Sequence, residues 1–386
     1  MQNRAFGKMG YDVSLLGMGC MRLPRIINTD KGEAVVDTDK ALEIIRYAVE
    51  HGVSYFDTAY GYHHTTSEAV LGEALDYKGY RDKVKVVTKQ PFHVMKSQDD
   101  VRRNLENTLK KLRSSYVDVY LIHCITKGNW DEIKARKILD EFEKFRSEGL
   151  IRGIGFSYHG QFPAFKDVIS GYHWDMCMVQ QNFMDVESEA TAEAIHVAGE
   201  KGCALAIMEP LRGGGLATPP KSIQAVYDEF PVKRSAVEWA FRHLANYKEV
   251  SAIVSGVTTL EQLKENIEIF NKPDLLPGCL SGDEAAVLAR VRGMYQSFAS
   301  IPCTGCEYCM PCPNGVNISG VFSRYNDSVM FGHSDQSRRS YFFVSNSKQG
   351  VSQCTACGVC EDKCPQNIPI VKDLQTAHAA LKGWIE

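Results

Sequence analysis

Between residues 14 and 271, a short apolar or β-branched run followed by a longer segment of helical period recurs eight times. This alternation is the pattern of repeated βα units on a parallel sheet, whose strands are buried on both faces and whose helices show one apolar stripe. The first unit is SLLGMGCMRL (14–23) followed by DKALEIIRYAVEHG, where Ala41, Ile44, Ile45 and Ala48 fall on one helical face and Gly52 supplies a stop. The strand runs of the next seven units contain YFDTA, VVTK, LIHC, GIGFS, MVQQ, ALAIMEPL and VSAIVSG. Eight units suit closure into a (β/α)8 barrel. An open doubly wound sheet is the competing α/β fold, but no GxGxxG follows the first strand.

A barrel of this kind takes ~250 residues, and the chain has 386. The expected organisation is a TIM barrel over 1–272, a helical connector over 273–302 that carries GDEAAVLARVRGMYQSF, and a small, mostly helical domain over 303–386. Hydrophobic residues at 44% and charged residues at 24% describe a folded globular chain and exclude disorder as its main state. The net charge of −3 gives no basic field for nucleic acid. No run of ~18 apolar residues suggests a signal peptide or a membrane span, so a cytoplasmic protein is expected.

Thirteen cysteines are distributed unevenly: five precede residue 302 and eight lie between Cys303 and Cys364. In a reducing compartment, dense and regularly spaced thiols point to metal rather than to disulfides. The runs are Cys303-x2-Cys306-x2-Cys309-x2-Cys312-Pro313 and Cys354-x2-Cys357-x2-Cys360-x3-Cys364-Pro365. Paired CxxC motifs also build zinc sites, but two runs of four cysteines, each closed by proline, follow iron–sulfur spacing. The segment resembles a two-cluster ferredoxin domain of the helical type, with ISGVFSRYND and RRSYFFVSN as helices between the runs. The resemblance implies two 4Fe-4S clusters with crossed ligand sets: Cys303, Cys306, Cys309 with Cys364, and Cys354, Cys357, Cys360 with Cys312. The first run departs from the usual spacing, with x2 before its Cys-Pro. The other five cysteines, Cys20, Cys124, Cys177, Cys203 and Cys279, read as small core residues. Beyond the barrel units no repeat of fixed period is visible.

Catalytic groups of TIM barrels sit at the C-terminal ends of strands. Asp57 ends the second strand, Tyr62 follows in its loop, Lys89 ends the third and His123 the fourth. Four such residues at adjacent strand ends are hard to attribute to packing. Together with FDTAYGYHHTTSEAVLGEAL, VVTKQ, LIHC, GIGFS, MEPLRGG and SGVTTLEQLKENI, they make residues 6–271 resemble the aldo/keto reductase family. The resemblance implies reduction of a small carbonyl-type substrate by NAD(H) or NADP(H). Tyr62 would be the proton donor, Lys89 and Asp57 would tune it, and His123 would orient the carbonyl oxygen. An ammonium beside a phenol stabilises phenolate, so Lys89 is expected to lower the pKa of Tyr62.

The implied cofactor positions are Ser157 and Gln180 for the carboxamide, then Arg212, Gly213 and Gly214 for the pyrophosphate. Ser255, Gly256, Gln262, Glu265 and Asn266 would serve the adenosine end. Tyr158 stands where an asparagine is common, and Met178 where the glutamine usually lies; Gln180, two residues on, keeps the same strand face. Gly256 and Gln262 replace basic residues expected of NADPH-selective members, although Lys264 is close by in sequence. NADH is therefore expected to be accepted at least as well.

A nicotinamide delivers two electrons as hydride, whereas each cluster carries one. No flavin motif is recognisable, and a flavin link is not excluded. Three arrangements stay open: clusters that exchange electrons with a ferredoxin-like partner, clusters that are structural or redox-sensing beside an ordinary reductase barrel, and a silent barrel in an electron-transfer subunit.

Overall fold

Each of the eight apolar runs forms a strand in the computed structural model, which describes residues 1–27, 34–186, 191–332 and 335–384. The strands are β1 (Leu16–Gly19), β2 (Tyr55–Asp57), β3 (Lys85–Pro91), β4 (Val117–Ile125), β5 (Ile151–Tyr158), β6 (Met176–Gln180), β7 (Ala204–Met208) and β8 (Val250–Gly256). All neighbours pair in parallel and in chain order, and the ring closes where Ile253–Gly256 of β8 meet Leu16–Gly19 of β1. The closed eight-stranded barrel is the fold that the eight units imply.

Side chains alternate along a strand, so one face of each strand fills the interior. Tyr55, Val87, Val119, Leu121, Met176, Met178, Ala204, Ala206, Ala252 and Val254 form that interior cluster. A hairpin of Asn3–Ala5 with Asp12–Ser14 adds Phe6 and Val13 to it. Two glycines make room: a Cβ on Gly17 would lie 2.7 Å from the Tyr55 ring, and one on Gly155 would lie 2.5 Å from the Met176 carbonyl. Period two then fixes the next layer towards the C-terminal ends. Asp57 follows Tyr55, Lys89 follows Val87, His123 follows Leu121, and Gln180 follows Met178, each two residues on.

Helices follow the strands with the expected capping. Asp37 accepts the Lys40 N–H at the start of Thr38–Glu50, Ser97 and Asp100 form a capping box on Gln98–Leu112, and Thr259 caps Leu260–Phe270. Three local differences from the sequence reading stand out. The first strand is short because Cys20–Arg22 turns as a 3-10 helix; the connection after β4 contains the helix Lys127–Ala135; and the polar connection after β7 contains Lys221–Glu229.

The chain divides into two compact units, residues 1–211 with 237–283, and residues 212–236 with 284–386. In the second unit, helices Ile318–Met330, Asp335–Asn346 and Ile370–Leu381 enclose a core of Val316, Val321, Phe322, Tyr341, Val344, Leu374 and Ala377 among others. This unit holds a repeat that spacing alone did not reveal. Gly305 and Glu307 in the first cysteine run have φ of 69° and 63°, and their counterparts Ala356 and Gly358 have 56° and 76°. Gly315 and Asn367, each three residues after a Cys-Pro cysteine, are also left-handed, at 81° and 51°, and each leads into a helix. Glu307, Ala356 and Asn367 adopt this conformation without being glycine, so the repeat lies in backbone signs that residue types conceal.

Candidate functional site

At the C-terminal ends of β2 and β3, Lys89 Nζ donates to Asp57 Oδ1 at 2.6 Å, to the Thr58 carbonyl at 2.8 Å and to Tyr62 Oη at 3.1 Å. These three bonds use every proton of the ammonium. Lys89 is 1% exposed and Asp57 4%, so the pair is out of water. The Tyr62 ring lies 4.7 Å from Nζ, and His123 meets it edge-on, with centroids 6.1 Å apart at 79°. Because Tyr62 Oη accepts from the ammonium, its own O–H proton is directed elsewhere, and it donates to no group among the described residues. The arrangement can pass a proton to an oxygen placed over Tyr62.

The electrostatics differ from the sequence expectation in net direction. Burial pushes the Tyr62 phenol up to about 12; the Lys89 ammonium acts against that rise without cancelling it. For Lys89, burial favours the neutral amine, but Asp57 and Tyr62 together hold its pKa above the ordinary value. Burial raises the Asp57 carboxyl while Lys89 lowers it, and Asp57 Oδ2 is buried without a hydrogen-bond partner.

The positions implied for a dinucleotide fall into three groups. Ser157, buried at the end of β5, accepts the Cys124 N–H at 2.9 Å, which leaves its hydroxyl proton to donate; Gln180 ends β6 on the inward face, with its amide on Asp185 at 3.0 Å. These two suit a carboxamide. Tyr158 turns into the protein, donating to the Gln161 carbonyl at 2.7 Å. At the adenosine positions, Asn266 donates to Ser255 Oγ at 3.0 Å, and Gln262 Oε1 accepts from Thr258 N at 2.8 Å and from its hydroxyl at 3.1 Å. Those side chains brace the turn between β8 and the helix Leu260–Phe270, whose N-terminal N–H groups favour anions. Glu265 is half-buried on that helix, Gly256 is exposed, and Lys264 lies over the Tyr47 ring at 5.6 Å. Arg212, Gly213 and Gly214 belong to the second unit, where Arg212 pairs with Asp327 at 2.9 Å and lies 5.2 Å from the Phe331 ring centroid.

In the second unit, one cavity is lined by Cys303, Cys306, Cys309 and Cys364 together, with Ile318, Phe322, Ile368 and Ile370 as its apolar wall. Three thiols of one run and the Cys-Pro cysteine of the other thus share a site. Cys312 and Cys354 act electrostatically on Cys360, and the Asn314 amide donates to Cys357 Sγ at 3.9 Å. None of the eight cysteines is joined in a disulfide. Six of them pack against the core of this unit, while Cys306 and Cys357, second in each run, are exposed. The donors fit two crossed four-thiolate sets.

The model of the aldo/keto reductase family matches residues 16–276. The chain belongs to the aldo/keto reductase family. A 4Fe-4S dicluster domain matches residues 302–368. The uncharacterized oxidoreductase YqkF of Bacillus subtilis (strain 168) is 24% identical over 70% of this chain and 92% of its own length. Among solved structures, the aldo-keto reductase AKR11C1 from Bacillus halodurans (holo form) has a TM-score of 0.62 at 22% identity, over 75% of this chain and 96% of that one. An aldo-keto reductase from Klebsiella pneumoniae in complex with NADPH has 0.60 at 21%, over 76% and 96%. At these identities the structures support the fold. Among the described residues, no helix is long and apolar enough to cross a membrane.

Two residues near these strand ends differ from, or were absent from, the sequence reading. Cys124 follows His123 and was grouped with core thiols; Cys20, Cys177 and Cys203 are buried, but Cys124 is exposed, sits at φ 57° and interacts electrostatically with Lys89 and Tyr62. Arg22, in the turn after β1, lies where a Cβ on Gly256 would touch its stem at 3.2 Å, and it pairs with Glu209 at 3.7 Å. Neither carries a motif, and only closure of β8 on β1 brings Arg22 to Gly256.

Proposed function

We propose that the barrel reduces a small carbonyl-type substrate with a nicotinamide dinucleotide, and that the second unit holds two 4Fe-4S clusters for electron transfer with a ferredoxin-like partner. The observation that carries the barrel reading is the Lys89 ammonium donating to both Asp57 and Tyr62. A bound nicotinamide supplies hydride, and bound clusters supply one-electron steps. Tyr62 presents its proton to the substrate oxygen, and an alkoxide developing there is a stronger base than phenolate, so proton transfer is favoured even from a phenol at about 12. Lys89 stabilises the phenolate left behind, and Asp57 keeps Lys89 charged. His123, edge-on to Tyr62, is placed to hold the same oxygen. Ser157 and Gln180 would orient the carboxamide, and the N-terminal N–H groups of Leu260–Phe270 would suit a phosphate at the adenosine end.

Membership of the aldo/keto reductase family and the donor set around Tyr62 support this reading. The test is anaerobically purified protein given NADH or NADPH with a panel of small aldehydes and ketones. Nicotinamide oxidation that requires the carbonyl compound is expected. No carbonyl-dependent oxidation with either dinucleotide across the panel would refute the reading.

A further inference from the structure

The two cysteine runs repeat in backbone conformation and in backbone hydrogen bonds, such as Gly315 N–H to the Cys312 carbonyl and Asn367 N–H to the Cys364 carbonyl, but not in side-chain hydrogen bonds. Asn314 follows Cys312-Pro313, and its amide donates to Thr355 Oγ1 at 2.9 Å and to Cys357 Sγ at 3.9 Å. Its counterpart after Cys364-Pro365 is Gln366, which lines the cavity of Cys303, Cys306, Cys309 and Cys364 beside Thr304. Gln366 donates to none of them among the described residues. One thiolate set therefore receives a side-chain amide that the other lacks.

Solvent access and run charge are alike for the two sets, and backbone N–H groups reach sulfurs of both: Gly305 on Cys303 and Cys309 on its own sulfur in one, Cys360 on its own sulfur in the other. Cys306 and Cys357 are both exposed, so solvent reaches one ligand of each set. The first run contributes Glu307, a charge of −1; the second contributes Glu361 and Asp362 against Lys363, also −1. Hydrogen bonds to ligand sulfurs are among the factors that set cluster potentials. A donor to a thiolate favours the oxidation state with more negative charge, which is the reduced one.

We propose that the Asn314 amide raises the potential of the cluster held by Cys354, Cys357, Cys360 and Cys312. This inference depends on the two-cluster reading above. The experiment is EPR-monitored redox titration of the anaerobic full chain, with iron and sulfide quantified, for the wild type, Asn314→Ala and Gln366→Asn. In Asn314→Ala, one of the two midpoints falls, by up to about tenfold in the one-electron equilibrium or ~59 mV, and the other stays. In Gln366→Asn, the shorter amide takes up the equivalent bond and the other midpoint rises. Unchanged midpoints in both variants at wild-type iron content would overturn the proposal. Should Asn314→Ala lose iron, Gln366→Asn decides alone: a rise supports the proposal and no shift overturns it. Iron near four rather than eight per wild-type chain would instead defeat the two-cluster reading.

Discussion

Lys89 and Asp57 form a buried ion pair, and removing one partner of such a pair costs about 3–5 kcal/mol. Lys89→Met should lower stability by that order at neutral pH, measured by denaturant unfolding under anaerobic conditions. The pH dependence follows from Asp57, whose pKa burial already raises and which loses the cation that opposes the rise. A carboxyl with a folded pKa above its unfolded value binds more protons when folded, so stability falls as pH climbs through that window. The deficit of Lys89→Met should therefore shrink on acidification; a deficit that grows would contradict the assignment. For Tyr62, reduction needs the protonated phenol, which burial holds up to about 12. Reduction by the wild type should show no loss between pH 8 and 10 due to Tyr62, whereas a limb in that range that vanishes in Tyr62→Phe would contradict the burial argument. The residue types of this site were legible from strand ends, because period two carries Tyr55 to Asp57 and Leu121 to His123 along the inward face. The direction of the Tyr62 shift was not, since it depends on how much water the fold removes. Cys124 was misread for a related reason: its exposure goes with an irregularity within β4, where it takes φ 57° and the pairing with β5 shifts between Ile122 and Ile125.

At the scale of elements, the eight strand–helix units were legible because hydrophobic period is local. Their packing imposes close approaches that the sequence does not show. Gly72, in the helix Ser67–Leu75, would place a Cβ 2.3 Å from the Lys111 carbonyl of Gln98–Leu112, where backbone has to move. Gly72→Ala should cost about 1–3 kcal/mol by overpacking, read by denaturant unfolding; a neutral or stabilising effect would show that the two helices have slack. The turn from β8 into Leu260–Phe270 bears on dinucleotide choice. Gln262 is committed to Thr258, Gly256 has no side chain, and Lys264 covers Tyr47. NADH should bind at least as tightly as NADPH in a fluorescence titration, and tenfold tighter NADPH would contradict this.

At the scale of the whole molecule, length and lopsided cysteines foretold a barrel followed by an iron–sulfur segment, and the family matches agree. The sequence could not say that residues 212–236 pack with the C-terminal unit, because which neighbour a connection joins is a long-range property. Arg212 illustrates this: its glycine-rich loop is a local feature, whereas its ion pair with Asp327, 115 residues away in sequence, is not. The crossed cysteine sets predict about eight iron and eight sulfide per chain for anaerobically prepared protein. The central claim, that Tyr62 donates the proton in a working hydride site, is tested most directly by Tyr62→Phe. With any carbonyl compound the wild type reduces, kcat should fall about 10²- to 10⁴-fold, the contribution of general-acid catalysis, while dinucleotide affinity and iron content stay at wild-type values. An unchanged kcat in Tyr62→Phe would contradict the account.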